Sequence, residues 1–125
     1  MIYTDTRDSS VKVDFRTAVM GGMNAQTGGL YMPVEFPELN KSFLSKIPEP
    51  SFRDIAFESA KPFVGGEIPD ADLQAIIADA YPFNAQVVPI DPVSYVLELF
   101  HGPTCAFKDF GARFMARTMS YFNRN

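Results

Sequence analysis

The sequence has little cysteine and little histidine, and this scarcity limits the kinds of site it can form. The chain of 125 residues contains one cysteine, Cys105, and one histidine, His101. A lone cysteine cannot form an internal disulfide, which fits a reducing cytoplasm. A structural zinc site needs about four such ligands. We therefore expect no metal site in this chain.

Long apolar runs and a strong excess of one charge are also missing. No apolar segment approaches the roughly 20 residues that a transmembrane helix needs, and the polar N-terminus lacks the apolar core of a signal peptide. The net charge is −4, with both signs mixed along most of the chain. We therefore expect a cytoplasmic protein without nucleic-acid or membrane partners. Arg113, Arg117 and Arg124 are expected to form a solvated helix face.

Local signals predict a helix-rich N-terminal part. Asp14 is placed to N-cap a first helix that Gly21-Gly22 ends, and Pro62 and Pro82 are expected to close two later ones. Ser51 and Asp54 approximate a capping box at the start of a later helix. Helical segments are predicted at residues 14–20, 40–46, 51–60, 69–81 and 106–122. Pro69 is expected in the first turn of the fourth segment. The apolar stripes of the fourth and fifth segments are expected to pack into a core.

Strand-like segments are short and lie mainly near the middle of the chain. They are predicted at residues 2–4, 30–33, 87–90 and 95–100, with Asp91-Pro92 as the turn between the last two. The order of elements predicts an α/β fold. We expect a helix-rich domain at residues 1–93, and the first strand–loop–helix of a second, truncated domain at residues 94–125. Because one strand and one helix cannot form a covered sheet, we expect the chain to be a fragment of a longer protein.

Lys108 lies at the predicted loop–helix junction, among apolar residues. If Thr104 N-caps the last helix, Lys108 falls in its first turn, where the positive end of the helix dipole disfavours an ammonium ion. Apolar neighbours such as Phe107 and Phe110 would desolvate it, whereas the adjacent Asp109 would favour the charged form. A neutral lysine amine is the nucleophile that forms a Schiff base with an aldehyde. The residues alone leave two hypotheses open, an imine-forming lysine and an ordinary surface lysine.

The stretch LELFHGPTCAFKDFGARF, residues 97–114, resembles the cofactor-lysine motif of the threonine synthase family. These are pyridoxal-phosphate enzymes of the tryptophan-synthase-β-like fold, fold type II. The family pattern reads approximately LELFHGPTLAFKDFGARF. Residues 3–7, 28–33 and 62–69 resemble, in order, the family's tyrosine and Ser-Thr-Arg run, its GGLYVP element and its PFVGDEIP segment. The resemblance covers the whole chain, and the 97–114 motif is its specific part.

The resemblance implies roles for several residues. Lys108 matches the lysine that holds pyridoxal phosphate and later moves protons, and Phe107 and Asp109 are expected to shape the surroundings of the cofactor. His101 and Thr104 match positions near the site. Arg7 matches the arginine of the Ser-Thr-Arg run, for which a role near the substrate phosphate is expected.

Three positions depart from the family pattern. Cys105 replaces a leucine and is expected to be a small buried hydrophobe. Asp5 replaces a serine, which weakens an anion-binding role for Arg7, and Gly66 replaces an acid. The glycine pairs at 21–22, 28–29 and 65–66 are expected to be turns or helix caps rather than a phosphate-binding loop. The loop that holds the cofactor phosphate, and the partner of its pyridine nitrogen, are therefore expected outside this chain.

The implied activity is that of a carbon–oxygen lyase acting on phosphates. Threonine synthase converts O-phospho-L-homoserine and water to L-threonine and phosphate, the last step of threonine biosynthesis. We expect the 125-residue chain to be inactive alone, and its oligomeric state is left open. Two alternatives remain: another fold type II lyase or dehydratase, and a non-catalytic interaction module that retains the motif.

Overall fold

The computed structural model describes residues 1–124, which form five helices and five short strands. The helices are α1 (Phe15–Gly21), α2 (Lys41–Leu44), α3 (Phe52–Val64), α4 (Asp70–Ala80) and α5 (Lys108–Arg124). The strands are β1 (Tyr3–Asp5), β2 (Lys12–Val13), β3 (Tyr31–Pro33), β4 (Gln86–Pro89) and β5 (Tyr95–Glu98). The predicted elements are all present, with most boundaries shifted by one or two residues.

The N-terminal strands form a three-stranded antiparallel sheet with the order β2–β1–β3. Thr4 of the central strand β1 pairs with Lys12 on one side and with Met32 on the other. Tyr3 and Asp5 point to the opposite face from Thr4, because side chains alternate along a strand, and both are buried. The Tyr3 hydroxyl donates a hydrogen bond of 2.8 Å to the carbonyl oxygen of Phe63. The sheet is thereby joined to the end of α3.

The core lies where β1, α1, α4 and the C-terminal half of α5 meet. Its buried apolar residues are Tyr3, Phe15, Ala18, Val64, Ile68, Leu73, Ile76, Ile77 and Phe122. The predicted stripe of α4 is confirmed by this packing. On α5, Phe122 is buried and Phe114 is partly buried against the same core. Within residues 1–124, no helix combines the length and the apolar character needed to span a membrane.

Three helix ends follow the predicted capping signals. The Asp14 carboxylate accepts a 2.8 Å hydrogen bond from the Thr17 N–H at the start of α1, as expected for an N-cap. Gly22 ends this helix with a φ of 63°, which few residues other than glycine adopt readily. Ser51 and Asp54 form a complete capping box at the start of α3.

The predicted end of α3 is wrong. Pro62 was expected to stop this helix, but it lies inside the last turn, and the helix continues to Val64. A proline removes one backbone hydrogen bond, and burial of Val64, which is 1% exposed, favours the continuation. The stop comes from Gly65 in the left-handed conformation. Pro69 likewise lies just before α4, at its N-cap, rather than in its first turn.

The prediction of a solvated arginine face on α5 is also wrong for two of the three arginines. Arg113 donates hydrogen bonds to the backbone carbonyl oxygens of Ala80, at 2.7 Å, and of Asp79, at 3.1 Å. Arg117 donates to the Asp79 carboxylate at 3.0 Å. Cations at the C-terminal end of α4 satisfy its last carbonyls and suit its dipole. These contacts hold α5 against α4.

Strands β4 and β5 form a separate antiparallel hairpin, in which Val87 pairs with Leu97. The Asp91 carboxylate accepts hydrogen bonds from the N–H groups of Val93 and Ser94 and closes the turn. Val87 is 62% exposed and Leu97 is 54% exposed. The hairpin spans the predicted domain boundary at residues 93–94, and its end leads directly into the loop before Lys108.

Candidate active site

A nine-residue loop joins β5 to α5 and contains three of the predicted site residues, His101, Thr104 and Phe107. The Cys105 N–H donates to the Gly102 carbonyl oxygen at 3.0 Å, which makes a tight turn. Cys105 has a φ of 56°, a left-handed conformation that is uncommon outside glycine. Two further turns, closed by the N–H groups of Asp109 and Phe110, lead into the helix. Lys108 is its first residue.

Two predictions about this loop are wrong. Thr104 does not N-cap α5, because the helix begins at Lys108 rather than near residue 106. Instead, the Thr104 N–H donates a 2.8 Å hydrogen bond to Oδ2 of Asp109. Cys105 is exposed rather than buried, since the turn that it completes directs its side chain away from the core. Asp109, in contrast, is only 6% exposed.

Lys108 is exposed and lies at the rim of an apolar groove. The groove has a volume of about 980 Å³ and is lined mainly by apolar side chains of α3 and α5, with Leu99 beside the end of β5. The predicted position of Lys108 in the first turn of a helix is confirmed. The predicted desolvation is not provided by residues 1–124, because the groove is open beside the lysine.

An aromatic cluster supports the first turn of α5 beneath this lysine. Phe110 lies 5.7 Å from Phe52 and 5.3 Å from Phe83, measured between ring centroids, and both pairs meet edge to face. Tyr81 packs against the same rings and donates a 3.0 Å hydrogen bond to the Phe110 carbonyl oxygen. Burial raises the pKa of Tyr81 above its usual value. The cluster joins the starts of α3 and α5 to the end of α4.

Sequence reasoning missed one polar residue beside the loop. Oε2 of Glu98, the last residue of β5, lies 2.7 Å from Nε2 of His101. Both side chains are partly buried, and the His101 ring stacks on Phe100 at 4.7 Å. The Glu-x-x-His spacing at a strand end was the signal that could have found this pair. The arrangement orients the imidazole before the turn at Gly102.

Arg7 lies in another part of the molecule, between β1 and β2. Its Nη1 donates to the Thr27 carbonyl oxygen at 2.9 Å, and its backbone N–H donates to the Asp5 carboxylate at 2.6 Å. Within residues 1–124, no hydrogen bond or ion pair joins Arg7 to residues 101–109. The structure therefore groups His101, Thr104, Phe107, Lys108 and Asp109 on one loop and helix start, and it places Arg7 apart from them.

Lys108 and Phe107 fit the aldehyde end of an aldehyde cofactor. The Lys108 amine is accessible, and the adjacent Phe107 side chain is 65% exposed, so a flat aromatic ring could reach both. The phosphate end has no comparable cradle in the glycine pairs of this chain. Gly22 and Gly65 cap helices, and the Gly28 N–H closes a turn onto the Asn24 carbonyl. The prediction that these glycines are caps or turns is confirmed.

Comparison with known proteins agrees with the resemblance in the sequence. The family described as "Threonine synthase N terminus" matches residues 2–81 of the chain. This chain belongs to the threonine synthase family. Threonine synthase from Pseudomonas aeruginosa is 34% identical over 126 residues, covering 97% of the chain and 27% of the relative. The chain thus spans about a quarter of the length of this curated relative.

Solved structures of threonine synthases show the same architecture. The pyridoxal-phosphate-bound enzyme from Brucella melitensis matches with a TM-score of 0.87 and 36% identity, over 97% of this chain and 27% of that one. The Escherichia coli enzyme matches with a TM-score of 0.90 and 33% identity, over 98% of this chain and 28% of that one. The predicted fold class, the α/β N-terminal region of a threonine synthase, is confirmed.

Proposed function

We propose that this chain supplies the reactive lysine of a threonine synthase that uses pyridoxal 5'-phosphate. The reaction is the conversion of O-phospho-L-homoserine and water to L-threonine and phosphate. One observation carries the proposal in a member of this family: Lys108 is an accessible amine at the first residue of α5, beside an apolar groove. An amine in this position can condense with an aldehyde when it is neutral.

The residues around Lys108 take distinct roles in this proposal. When bound, pyridoxal phosphate supplies an electron sink that stabilises negative charge on the substrate carbons. The Lys108 amine holds the aldehyde end and, once released, carries protons to and from the substrate. Phe107 presents an apolar surface to the cofactor ring. His101, oriented by Glu98, and Thr104 lie on the loop that leads to the lysine, and we assign them to the substrate side.

The roles of Arg7 and of the two predicted domains are proposals as well. For Arg7 we propose a role near the substrate phosphate. This role requires that the substrate and the Arg7 side chain be brought together by groups other than those that Arg7 contacts in this structure. We propose that residues 1–93 form the N-terminal domain and that residues 94–125 begin the catalytic domain. The chain alone should lack turnover, because its glycine pairs hold no cofactor phosphate. We also propose a cytoplasmic location.

The decisive experiment is product analysis with the full-length gene product. Given O-phospho-L-homoserine and pyridoxal phosphate, it should release L-threonine and phosphate in equal amounts. A 2-oxo acid in place of threonine would assign the protein to another fold type II lyase or dehydratase. Absence of both products, with the cofactor bound, would favour a non-catalytic interaction module.

Borohydride reduction tests the lysine itself. After reduction in the presence of pyridoxal phosphate, peptide mapping should find the label on Lys108, while the exposed Lys41 and Lys46 serve as internal controls. Lys108→Arg keeps the charge but cannot form the imine, so it should lose both the label and the turnover. Its circular dichroism should match the wild type, because Lys108 is exposed. Label on another lysine refutes the assignment.

A further inference from the structure

Asp109 is a buried acid whose carboxylate faces the loop. It is 6% exposed, and within residues 1–124 no ion pair includes it. Its Oδ2 accepts the 2.8 Å hydrogen bond from the Thr104 N–H. A buried carboxylate without a cation is costly, and here the positive end of α5, in whose first turn Asp109 lies, partly compensates the charge. The one hydrogen-bond donor observed for this carboxylate within residues 1–124, the Thr104 N–H, belongs to the loop.

Gly102 fits against the same side chain from the other end of the loop. A Cβ atom at residue 102 would overlap Oδ2 of Asp109 and would lie 2.6 Å from its Cβ. Real Cβ contacts are not this short, so a larger residue at 102 would displace either the loop or Asp109. The turn between Gly102 and Cys105 therefore wraps around the Asp109 carboxylate.

We propose that Asp109 is a positioning residue that fixes loop 101–105 against the first turn of α5, with Gly102 as the small residue that admits it. Because Lys108 and Asp109 are consecutive residues of that turn, the contact fixes the loop relative to the lysine. The consequence for Lys108 chemistry rests on the proposed function, whereas the positioning itself does not. This role requires no contact between Asp109 and the cofactor.

The first test uses the 125-residue chain without cofactor. Hydrogen exchange at the Thr104 amide reports on the loop, because this N–H donates to Asp109. Asp109→Ala should accelerate the exchange by about tenfold, as expected for the loss of one charged hydrogen bond. Asp109→Asn keeps a carbonyl acceptor and should stay within about threefold of wild type. Asp8→Ala, which removes a turn-capping aspartate elsewhere, is the matched control.

Gly102→Ala keeps the test decisive if Asp109→Ala fails to fold. It should accelerate the same exchange, because the added Cβ displaces the loop from Asp109. In the double variant the two effects should not add, since either change breaks the same contact. Rates within twofold of wild type for both single variants, with unchanged circular dichroism, would overturn the positioning role.

The second test separates this inference from the proposed function. In the full-length gene product, the rate of borohydride-trapped labelling of Lys108 should fall by about tenfold in Asp109→Ala and recover in Asp109→Asn. Equal labelling in all three proteins would show that the loop contact does not position Lys108. If wild type is not labelled at Lys108, the proposed function fails, and the exchange rate of the Thr104 amide still decides the positioning role.

Discussion

The Glu67 carboxylate caps helix α1 by accepting the backbone N–H of Phe15, 52 residues away in sequence, at 2.9 Å. Its second oxygen accepts the Arg16 N–H, also at 2.9 Å. These N–H groups have no partner inside the helix, and Asp14 accepts the next one, from Thr17. Burial, with a smaller contribution from the Glu67 charge, raises the pKa of the nearby Tyr3 to about 12. Glu67 thus joins the segment after α3 to the start of α1.

Removing this cap should destabilise the fold. Glu67→Ala is expected to lower the free energy of unfolding by about 1–2 kcal/mol, because two N–H groups of α1 lose a charged acceptor. Glu67→Gln keeps one carbonyl acceptor and should cost less. Urea denaturation followed by circular dichroism measures both, with Glu49→Ala, at an exposed position, as the control for charge. An equal, small effect of all three substitutions would contradict the capping role.

Arg113 should matter more than its place on a charged helix suggests. Arg113→Ala removes two hydrogen bonds to the last carbonyls of α4 and should lower the free energy of unfolding by about 1–2 kcal/mol. Arg113→Lys keeps the charge but not the planar donor pair, so it should recover only part of the loss. Arg124→Ala, at an exposed position, is expected to change stability by less than about 0.5 kcal/mol. Thermal or urea unfolding that ranks Arg124 above Arg113 would show the interaction to be unimportant.

Thr118 offers an opportunity to stabilise the protein. Its side chain is 1% exposed, and its hydroxyl has no hydrogen-bond partner among residues 1–124. Thr118→Val replaces the unpaired hydroxyl by a methyl group and should raise the free energy of unfolding by about 1 kcal/mol. Thr118→Ser keeps the hydroxyl, removes the methyl group and should destabilise the protein. Loss of stability in the valine variant would indicate that the hydroxyl is satisfied in solution.

Asp5 should make stability depend on acid pH. Its buried carboxylate accepts hydrogen bonds from the Thr27 hydroxyl at 2.6 Å, from Asn24 at 2.7 Å, and from the backbone N–H groups of Arg7 and Asp8. These bonds, chiefly that from Thr27, hold the pKa of Asp5 below its usual value although burial opposes them. The stabilisation is therefore complete above the ordinary carboxyl pKa of about 4, and it is lost as the pH falls through the lower, folded-state pKa.

The measurement is the difference in unfolding free energy between wild type and Asp5→Asn as a function of pH. It should be largest above about pH 5 and should shrink towards about pH 2, because the wild-type carboxylate becomes protonated. Asp91→Asn, in the exposed hairpin turn, gives a matched variant whose carboxylate also accepts backbone N–H groups. A difference for Asp5→Asn that stays constant across this range would contradict the assigned role.

The sequence predicted the local features of the fold well. The caps at Asp14 and Ser51, the glycine stop of α1, and the buried stripe of α4 all depend on residues within a few positions of one another. The position of Lys108 in the first turn of a helix, and the motif around it, also came from sequence alone. Such signals are readable because a cap or a periodic stripe acts within one or two turns.

Contacts between distant segments could not be predicted from such local signals. The continuation of α3 through Pro62 depends on the burial of Val64, and the exposure of Cys105 depends on the turn that wraps around Asp109. Arg113 was expected in solvent because nothing nearby in sequence shows that the end of α4 lies against it. Each outcome depends on which groups the fold brings together to bury apolar surface or to satisfy backbone carbonyls.

By itself, the sequence determined the family, the order of the helices and strands, and the lysine at the loop–helix junction, since these follow from local motifs and short-range periodicity. Only the tertiary structure decided how the lysine is presented. It left Lys108 exposed at the rim of a groove, turned Asp109 inward to the Thr104 N–H, and paired Glu98 with His101. The reason is physical: burial and hydrogen-bond partners are properties of the folded surface around a residue, and that surface comes from segments far apart in the chain.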